Sequence, residues 1–226
     1  MKASSVILDA LKDMDNTGTL EAEKKMDLYA GKDIRMTADT HREENGQGHT
    51  TAISKRGAAS VTGKESSLTM TAGKDIHLQA ARISSAGDMT IAGKRQVELG
   101  TAVAEKDNRV TWDRSNDRRD STAMETGSTL TAGRNLTVEN GKEITDLEEH
   151  HRHKEKGLLS SKTTTTYDEV KRTDTTGSIV EGDTLTMTAG KDISLTGSVA
   201  ASTKETALSA GRNISIHAAE ETDKEI

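Results

Sequence analysis

The chain has 226 residues, enough for one or two domains, but Leu, Ile, Val and Phe together make up only about 16% of them, below the roughly 20% at which disorder becomes a serious expectation. A net charge of −6, one Trp, two Tyr and no Phe argue against nucleic-acid binding, which needs a basic surface and often aromatic stacking partners. The absence of Cys excludes disulfides and thiolate metal sites.

A seven-residue motif, Ala-Gly-(Lys/Arg)-(Asp/Asn)-(Ile/Leu)-x-(Leu/Val/Ile/Met), recurs along the chain. Five copies begin at Ala30, Ala72, Ala132, Ala189 and Ala210, and a variant with one extra residue begins at Ala92. Successive motif glycines are 42, 20, 40, 57 and 21 residues apart, so four of the five intervals are close to multiples of 20 or 21. A unit this short cannot bury an apolar face alone, and the repeats are therefore predicted to stack as a solenoid rather than to be disordered.

Each glycine is preceded by an alternating stretch such as Leu68-Thr69-Met70-Thr71-Ala72. Period-2 alternation with abundant Thr favours β-strand, and the helical segment and Asn ladder of a leucine-rich repeat are missing. The predicted fold is an all-β solenoid of 20–21-residue coils, with about nine coils in the chain. Its predicted core ladder consists of Leu68, Met70, Ile76, Leu78, Leu136, Val138, Leu185, Met187, Ile193, Leu195, Ile214 and Ile216.

The motif's turn residues are predicted to be structural. The glycines relieve a tight or positive-φ corner, and the Asp or Asn two residues later bonds backbone donors or stacks on its counterpart one coil away. A cation site lined by Asp33, Asp75 and Asp192 is the less favoured alternative. The structural set is Gly31, Gly73, Gly93, Gly133, Gly190, Gly211, Asp33, Asp75, Asn135, Asp192 and Asn213.

Three polar, charged stretches interrupt the repeats, at about 39–66, 101–127 and 142–183. Extended segments around a glycine-containing centre predict a projecting β-hairpin in each. In the first, Gly46 and Gly48 form the tip. The second contains the only Trp, Trp112, and the third contains a His-rich arm and a Thr-rich arm.

The third stretch also holds the most site-like side chains. His151 and His153 would share one face of a strand and are weak candidates for a metal site, but no carboxylate or Cys at a known zinc spacing completes the set. We expect no metal, no cofactor and no catalytic residues. A polysaccharide-cleaving solenoid, the alternative from another class, would need aromatic sugar platforms that this composition does not supply.

The repeat from Leu185 to Leu195, followed by Gly197-Ser198, resembles the haemagglutinin repeat of filamentous haemagglutinins. The His-rich arm, Gly157 to Lys162 and the Thr-rich strand ending in Gly177-Ser178 resemble the insertion of that family's second repeat region. The resemblance covers nearly the whole chain from about Leu20. It implies a right-handed parallel β-helix, with residues 1–226 forming one segment of a larger exoprotein, secreted or at the cell surface of a diderm bacterium, with retention in the periplasm before target contact.

The family contains both adhesins and the effectors of contact-dependent growth inhibition. The resemblance therefore implies a non-enzymatic role, in toxin translocation into a target cell or, alternatively, as the adhesive stalk of a filamentous haemagglutinin-type adhesin. The implied partners are neighbouring coils of the same exoprotein, an outer-membrane two-partner secretion transporter and the target-cell envelope, with no nucleic acid. The marked insertions favour toxin delivery.

Overall fold

The computed structural model describes residues 1–111, 116–140, 143–147, 166–218 and 222–225, which contain 23 β-strands and no helix. The prediction of an all-β fold is confirmed. Within these residues there is accordingly no helix that could cross a membrane. In chain order the strands are β1 (Lys2–Ala10), β2 (Met14–Asn16), β3 (Thr19–Ala30), β4 (Ile34–Thr37), β5 (Asp39–Asn45), β6 (Gly48–Lys55), β7 (Ala58–Val61), β8 (Ser67–Ala72), β9 (Asp75–Gln79), β10 (Arg82–Ser85), β11 (Asp88–Gly93), β12 (Gln96–Gly100), β13 (Ala102–Thr111), β14 (Asn116–Thr126), β15 (Thr129–Ala132), β16 (Asn135–Asn140), β17 (Glu143–Leu147), β18 (Thr166–Thr176), β19 (Ile179–Ala189), β20 (Asp192–Thr196), β21 (Val199–Ala210), β22 (Asn213–His217) and β23 (Thr222–Glu225).

Two parallel sheets form the body of the molecule. The first has ten strands, and the second has seven, in the order β2-β4-β9-β12-β17-β20-β22. The chain passes through the first sheet, then the second, and then returns to the first, and we call one such passage a coil. The second sheet holds one strand per coil, so the described residues form seven coils rather than about nine, because the insertions use the remaining length.

Each coil places two segments in the first sheet. They are separate strands in three coils, as in β7 and β8, and they run on as one long strand in the other four, as in β3. Three turns complete the coil: the first lies between the two segments, the second leads from the first sheet to the second, and the third leads from the second sheet to the next coil. The register is kept along the stack.

The core consists of aliphatic side chains stacked in rows between the sheets. One row in the first sheet follows the pairings of Met26, Leu68, Met89, Leu136 and Leu185, and each of these side chains is at most 1% exposed. The alternating Thr residues between them face outward. A coil therefore needs few apolar residues, which explains how this poor composition supports a folded chain.

Two residues expected in the core ladder are not buried. Ile214 is 46% exposed and Ile216 is 63% exposed. Both lie on β22, which pairs with β20 and is the last strand in the order of the second sheet. Their side chains therefore lack the stacked neighbours of the next coil, although their register continues the rows of Ile193 and Leu195.

The sequence motif occurs at two different turns of the coil, which the sequence did not predict. The motif glycines Gly31, Gly73 and Gly211 lie at the second turn, whereas Gly133 lies at the first turn, between β15 and β16. Leu136 and Val138 are consequently in the first sheet and not in register with Ile76.

The insertions are shorter than predicted. β7 belongs to the first sheet and not to the insertion at 39–66, and β17 belongs to the second sheet although it falls within 142–183. The first residues of β19 likewise pair with β15 in the first sheet. These segments are short and lack the motif, so composition did not separate them from the hairpins. The insertion at 101–127 coincides with β13 and β14.

The arrangement of the core in rows predicts that substitutions at two adjacent residues of β11 destabilise the protein to very different extents. Ile91→Asp places a charge in the core and is expected to lower the free energy of unfolding by roughly 3–5 kcal/mol. Thr90→Asp changes the outward neighbour on the same strand and is expected to cost less than about 1 kcal/mol. Urea unfolding followed by far-ultraviolet circular dichroism measures both, and equal losses would contradict the inward and outward assignment.

Candidate functional site

The insertions all leave the stack at the third turn. In every described coil junction this turn has two residues: Thr17-Gly18, Arg56-Gly57, Ala80-Ala81, Gly127-Ser128, Gly177-Ser178 and Gly197-Ser198. The three insertions stand directly before Arg56, Gly127 and Gly177, so each precedes a turn that the uninterrupted coils also possess. Two of the three turns that no hairpin precedes contain a left-handed residue, Ala80 with φ of 48° and Gly197 with φ of 62°, whereas Thr17-Gly18 contains none.

The inserted strands pair with one another in a third sheet, in the order β23-β18-β14-β13-β6-β5. β5 and β6 form one antiparallel hairpin and β13 and β14 a second. The hairpins are joined because β6 pairs antiparallel with β13, and β14 pairs parallel with β18 over eleven residue pairs. We call this six-stranded structure the hairpin sheet. It is a continuous surface built from three insertions and the chain segment β23.

One face of the hairpin sheet is exposed and polar. Thr50, Lys106 and Thr122 occupy one row across β6, β13 and β14, and all three are exposed. Met124, also outward, is 52% exposed. β5 is exposed along its whole length and carries charges of both signs.

The opposite face is more enclosed. His49, Glu105 and Asp107 are partly buried there, and His49 Nε2 lies 3.5 Å from a carboxylate oxygen of Glu105. Glu125 on the same face is only 5% exposed. Polar groups therefore occupy both faces, and the sheet depends on its backbone pairing and its attachment more than on an apolar core.

Arg56 attaches the first two hairpins to the stack. Its side chain, at the third turn after β6, donates hydrogen bonds to the carbonyl oxygens of Ala80, Ala81 (3.3 Å) and Gly127 (2.7 Å). One guanidinium thus joins three successive third turns, including the ends of two insertions. Burial, with a smaller contribution from Arg82, lowers the pKa of Arg56 below its ordinary value, although arginine remains charged at any physiological pH.

A ladder of serine hydroxyls continues this attachment. Ser128 Oγ accepts the Ala81 N–H at 3.0 Å and donates to the Leu78 carbonyl at 2.7 Å. The Ser128 N–H donates to Ser178 Oγ at 3.1 Å, and the Ser178 N–H donates to Ser198 Oγ at 3.0 Å. The hydroxyls satisfy backbone N–H groups at the third turns that contain Ala81, Ser128 and Ser178. The recurring Gly-Ser pairs were the sequence signal for this ladder, and Arg56 had no such signal.

The predicted turn glycines are required by close approach between coils. A Cβ on Gly31, Gly73, Gly133 or Gly211 would overlap a carbonyl oxygen of the preceding coil. None of these four has a positive φ, so the expected positive-φ corner is not the reason for glycine here. Gly93 is different, since its Cβ would overlap the carbonyl of Gln96 in its own coil.

The predicted Asp and Asn residues bond from coil to coil. Asp33 Oδ1 accepts the backbone N–H of Asp75 at 3.3 Å, and Asp192 Oδ1 accepts that of Asn213 at 3.1 Å. Asn135 instead donates to Asp88, because it lies at the first turn. These bonds run between coils, and the structural role assigned to the side chains stays a prediction.

Arginines of the following coil hold two of these carboxylates. Arg95 pairs with Asp75 and Arg212 pairs with Asp192. The pKa of Asp75 lies below its ordinary value, mainly because Arg95 donates hydrogen bonds to its carboxylate. The pKa of Asp192 is lowered in the same way, mainly by hydrogen bonds from Arg212. The described residues contain no cluster of His, Asp and Glu arranged to hold a metal ion. His151, His153 and Trp112 lie outside the described residues.

Comparisons with known proteins agree with the resemblance. Residues 157–226 match the family described as hemagglutinin repeat. The chain is 26% identical, over 97% of its length, to a tRNA nuclease CdiA of Escherichia coli strain STEC_O31. It is also 37% identical, over 42% of its length, to a 16S rRNA endonuclease CdiA of Enterobacter cloacae subsp. cloacae. No solved structure matches the chain.

The matched region is a small part of those relatives, since the chain spans 8% of the first and 3% of the second. The predicted resemblance to the filamentous haemagglutinin and contact-dependent growth inhibition family is confirmed. The chain is therefore similar to the repeat part of this kind of protein.

The close approach at the second turn predicts that Gly73→Ala destabilises the protein by roughly 1–3 kcal/mol, because the new methyl group meets the backbone of Gly31. Gly46→Ala is the matched control, because nothing lies within 4 Å of its Cβ position, and it should change stability by less than about 0.5 kcal/mol. Thermal and urea unfolding compare the two. Tolerance of alanine at position 73 would show that the coils can separate locally.

The contacts of Arg56 predict that Arg56→Gln loosens the hairpin sheet more than the stack. Since charged hydrogen bonds contribute roughly 1.5–3 kcal/mol each, amide exchange at the β6–β13 pairing should become at least about tenfold faster. Hydrogen exchange with mass spectrometry reports both regions. Lys64→Gln, which removes an exposed cation at the first turn between β7 and β8, is the control. Equal acceleration in β6 and in β8 would contradict a specific role at the hairpins.

Proposed function

We propose that this chain is a right-handed parallel β-helix and a non-catalytic segment of a large secreted exoprotein. It acts in contact-dependent toxin delivery, in the step that passes a toxin into the target cell, and the hairpin sheet is its contact surface. The observation that carries this proposal is the assembly of separate insertions, distant in sequence, into one continuous sheet beside the stack.

The parallel register supports a β-helix. Strands of successive coils pair in register at separations such as 21 residues, between Ser67 and Asp88, and again between Asp192 and Asn213. All pairings within the first two sheets are parallel, and each return to the first sheet passes through the second. Parallel crossovers between L-residue strands are right-handed in nearly all known cases, which favours that hand here.

The construction of the hairpin sheet supports a contact role. A stalk needs only the two-residue third turn, as Ala80-Ala81 and Gly197-Ser198 demonstrate, so the insertions add nothing that stacking requires. They nevertheless pair in register across three coils and are anchored by Arg56. Exposed surface that is held in a defined arrangement, rather than left as loose loops, is typical of a binding surface.

The charged groups of the described stack support a role without catalysis. Asp33, Asp75 and Asp192 are used by bonds between coils, and their carboxylates bond backbone N–H groups or arginines. The nuclease activities named for the two relatives are assigned to proteins of which this segment matches a small fraction. Such activity would reside elsewhere in a parent protein.

The implied cellular setting follows from the same relationship. As part of a secreted or cell-surface protein of a diderm bacterium, the segment would pass through an outer-membrane two-partner secretion transporter and then face the envelope of a target cell. Neighbouring coils of the parent would cover β1 and β22, the ends of the stack, and on β22 the core-row residues Ile214 and Ile216 are exposed.

The two-residue turns provide a clean test in the full-length exoprotein. Deletion of residues 38–55, 101–126 and 148–176 leaves Arg56-Gly57, Gly127-Ser128 and Gly177-Ser178 as third turns of the uninterrupted kind. Each deletion and the triple deletion should keep export, surface display and attachment to target cells, while growth inhibition of the target falls at least tenfold. Immunoblotting of the cell surface, cell-binding counts and competition cultures measure these steps.

A matched control replaces one outward residue in each of the first two hairpins, Thr50→Ser with Thr122→Ser, and should keep all three activities. Loss of attachment in the deletion variants, with export intact, would favour the adhesive stalk instead. Retention of growth inhibition in the triple deletion would overturn the proposal.

A further inference from the structure

The second turn carries a row of cations along the stack, at a different turn from the hairpins. Its backbone is continuous between coils: the Lys32 N–H bonds the Lys12 carbonyl at 2.9 Å, the Lys74 N–H bonds the Lys32 carbonyl at 2.8 Å, and the Arg95 N–H bonds the Lys74 carbonyl at 2.7 Å. Farther along, the Arg212 N–H bonds the Lys191 carbonyl at 2.6 Å. Basic side chains therefore repeat at the spacing of stacked strands, about 4.8 Å.

The acidic residues that follow Lys32, Lys74 and Lys191 in the sequence do not cancel this row, whereas Asp13, which follows Lys12, is exposed. The carboxylates of Asp33, Asp75 and Asp192 are only 16%, 3% and 17% exposed, and they accept hydrogen bonds from the next coil. The lysine side chains are exposed. Among the residues that the structure describes, none of the row's five lysines forms an ion pair, and these are Lys12, Lys32, Lys74, Lys94 and Lys191.

The surface beside this cationic row carries several hydroxyl groups and the exposed acid Asp9. In the outward row at the end of the adjacent segment, Asp9 pairs with Tyr29, Tyr29 with Thr71, and Thr188 with Ser209. Tyr29 is 46% exposed and stands three residues before Lys32 in the sequence. A second row of Thr residues runs parallel to it in the same sheet, through Thr69, Thr90, Thr137 and Thr186.

We propose that the cationic row with the adjoining Tyr29 and Thr surface binds a linear acidic polysaccharide along the axis of the stack. A polyuronate has one carboxylate on each sugar, hydroxyl groups on the remaining edges and apolar ring faces. The lysines match the carboxylates, the Thr and Ser hydroxyls match the sugar hydroxyls, and the exposed phenol ring offers a face on which a sugar ring can pack.

The geometry favours this ligand over other polyanions. From Lys12 to Arg95 the row spans three strand-to-strand steps, roughly 14 Å, and is one or two cations wide. Lys191 and Arg212 form a second stretch beyond the fifth coil, whose second turn lies outside the described residues. Nucleic acid would need a broader basic surface with several stacking aromatics, and an anionic membrane would be contacted by a wider basic or apolar face. A narrow line of charge is complementary to a single extended chain.

The test uses purified polygalacturonate fragments and the intact 226-residue chain. Lys32→Gln, Lys74→Gln and Lys94→Gln together remove three adjacent cations. The matched control, Lys24→Gln, Lys64→Gln and Lys106→Gln, removes the same charge from exposed lysines away from the row. At about 50 mM salt, the row variant should bind at least tenfold more weakly by titration calorimetry, and the control should change by less than about twofold. The slope of log affinity against log salt should fall by roughly two to three in the row variant alone.

Tyr29 separates sugar recognition from simple charge attraction. Tyr29→Ala should weaken binding at least threefold and leave the salt slope unchanged, while Tyr29→Phe should bind as the native chain does. Circular dichroism melting identifies any variant that has lost its fold.

Three results would overturn the proposal: no measurable binding of polygalacturonate, equal loss in the row and control variants, or tighter binding to a DNA duplex or to phosphatidylglycerol vesicles than to polygalacturonate. This inference does not depend on the function proposed for the hairpin sheet.

Discussion

The approach of each coil to the next, at the spacing of paired β-strands, is the constraint on which the rest of the structure depends. Because the backbone follows nearly the same path in every coil, a side chain at a given position meets its counterpart directly. An inward residue must pack on the residue one coil away, as Leu68 does on Met26 and Met89. At a turn there is no room even for a methyl group, as at Gly73. The sequence repeats because the contacts repeat.

The same constraint determines where the chain can be enlarged. A residue added inside a strand would shift the register and turn the inward side chains outward. An insertion before the third turn leaves both sheets in register, provided that the buried backbone groups at the turn remain bonded. Ser128 and Ser178 bond those groups directly, and Arg56 joins the third turns on either side of the uninterrupted one. The stack and the hairpin sheet can therefore vary separately.

The sequence was sufficient to predict what local patterns determine. Period-2 alternation identified strands and the inward face, and the motif identified the second turn in most coils. It could not show that Ala132-Gly133-Arg134 occupies the first turn, since the same residue types relieve the same crowding at either place. The strands β7 and β17 carry no motif and are recognised only by their partners in neighbouring coils.

The burial of a residue also depends on chain that is distant in sequence. Ile214 has the same local pattern as Ile193, but its exposure differs because no described coil stacks beyond β22. The three carbonyl contacts of Arg56 come from residues 24 to 71 positions away, so no local pattern could have indicated them. The structure was therefore needed to establish which residues are buried and how the hairpin sheet is attached to the stack.

Stacking also divides the charged residues into two groups with different roles. The motif places a base and an acid side by side, and from the sequence alone they would cancel. In the structure the carboxylates of Asp33, Asp75 and Asp192 bond to the next coil, while the lysine side chains take no part in pairing the coils and remain in solvent. Bonds between coils thus leave a net basic edge on a chain whose overall charge is −6. The net charge of the chain is consequently a poor guide to the charge of any one surface, because that charge depends on the groups that stacking leaves outside.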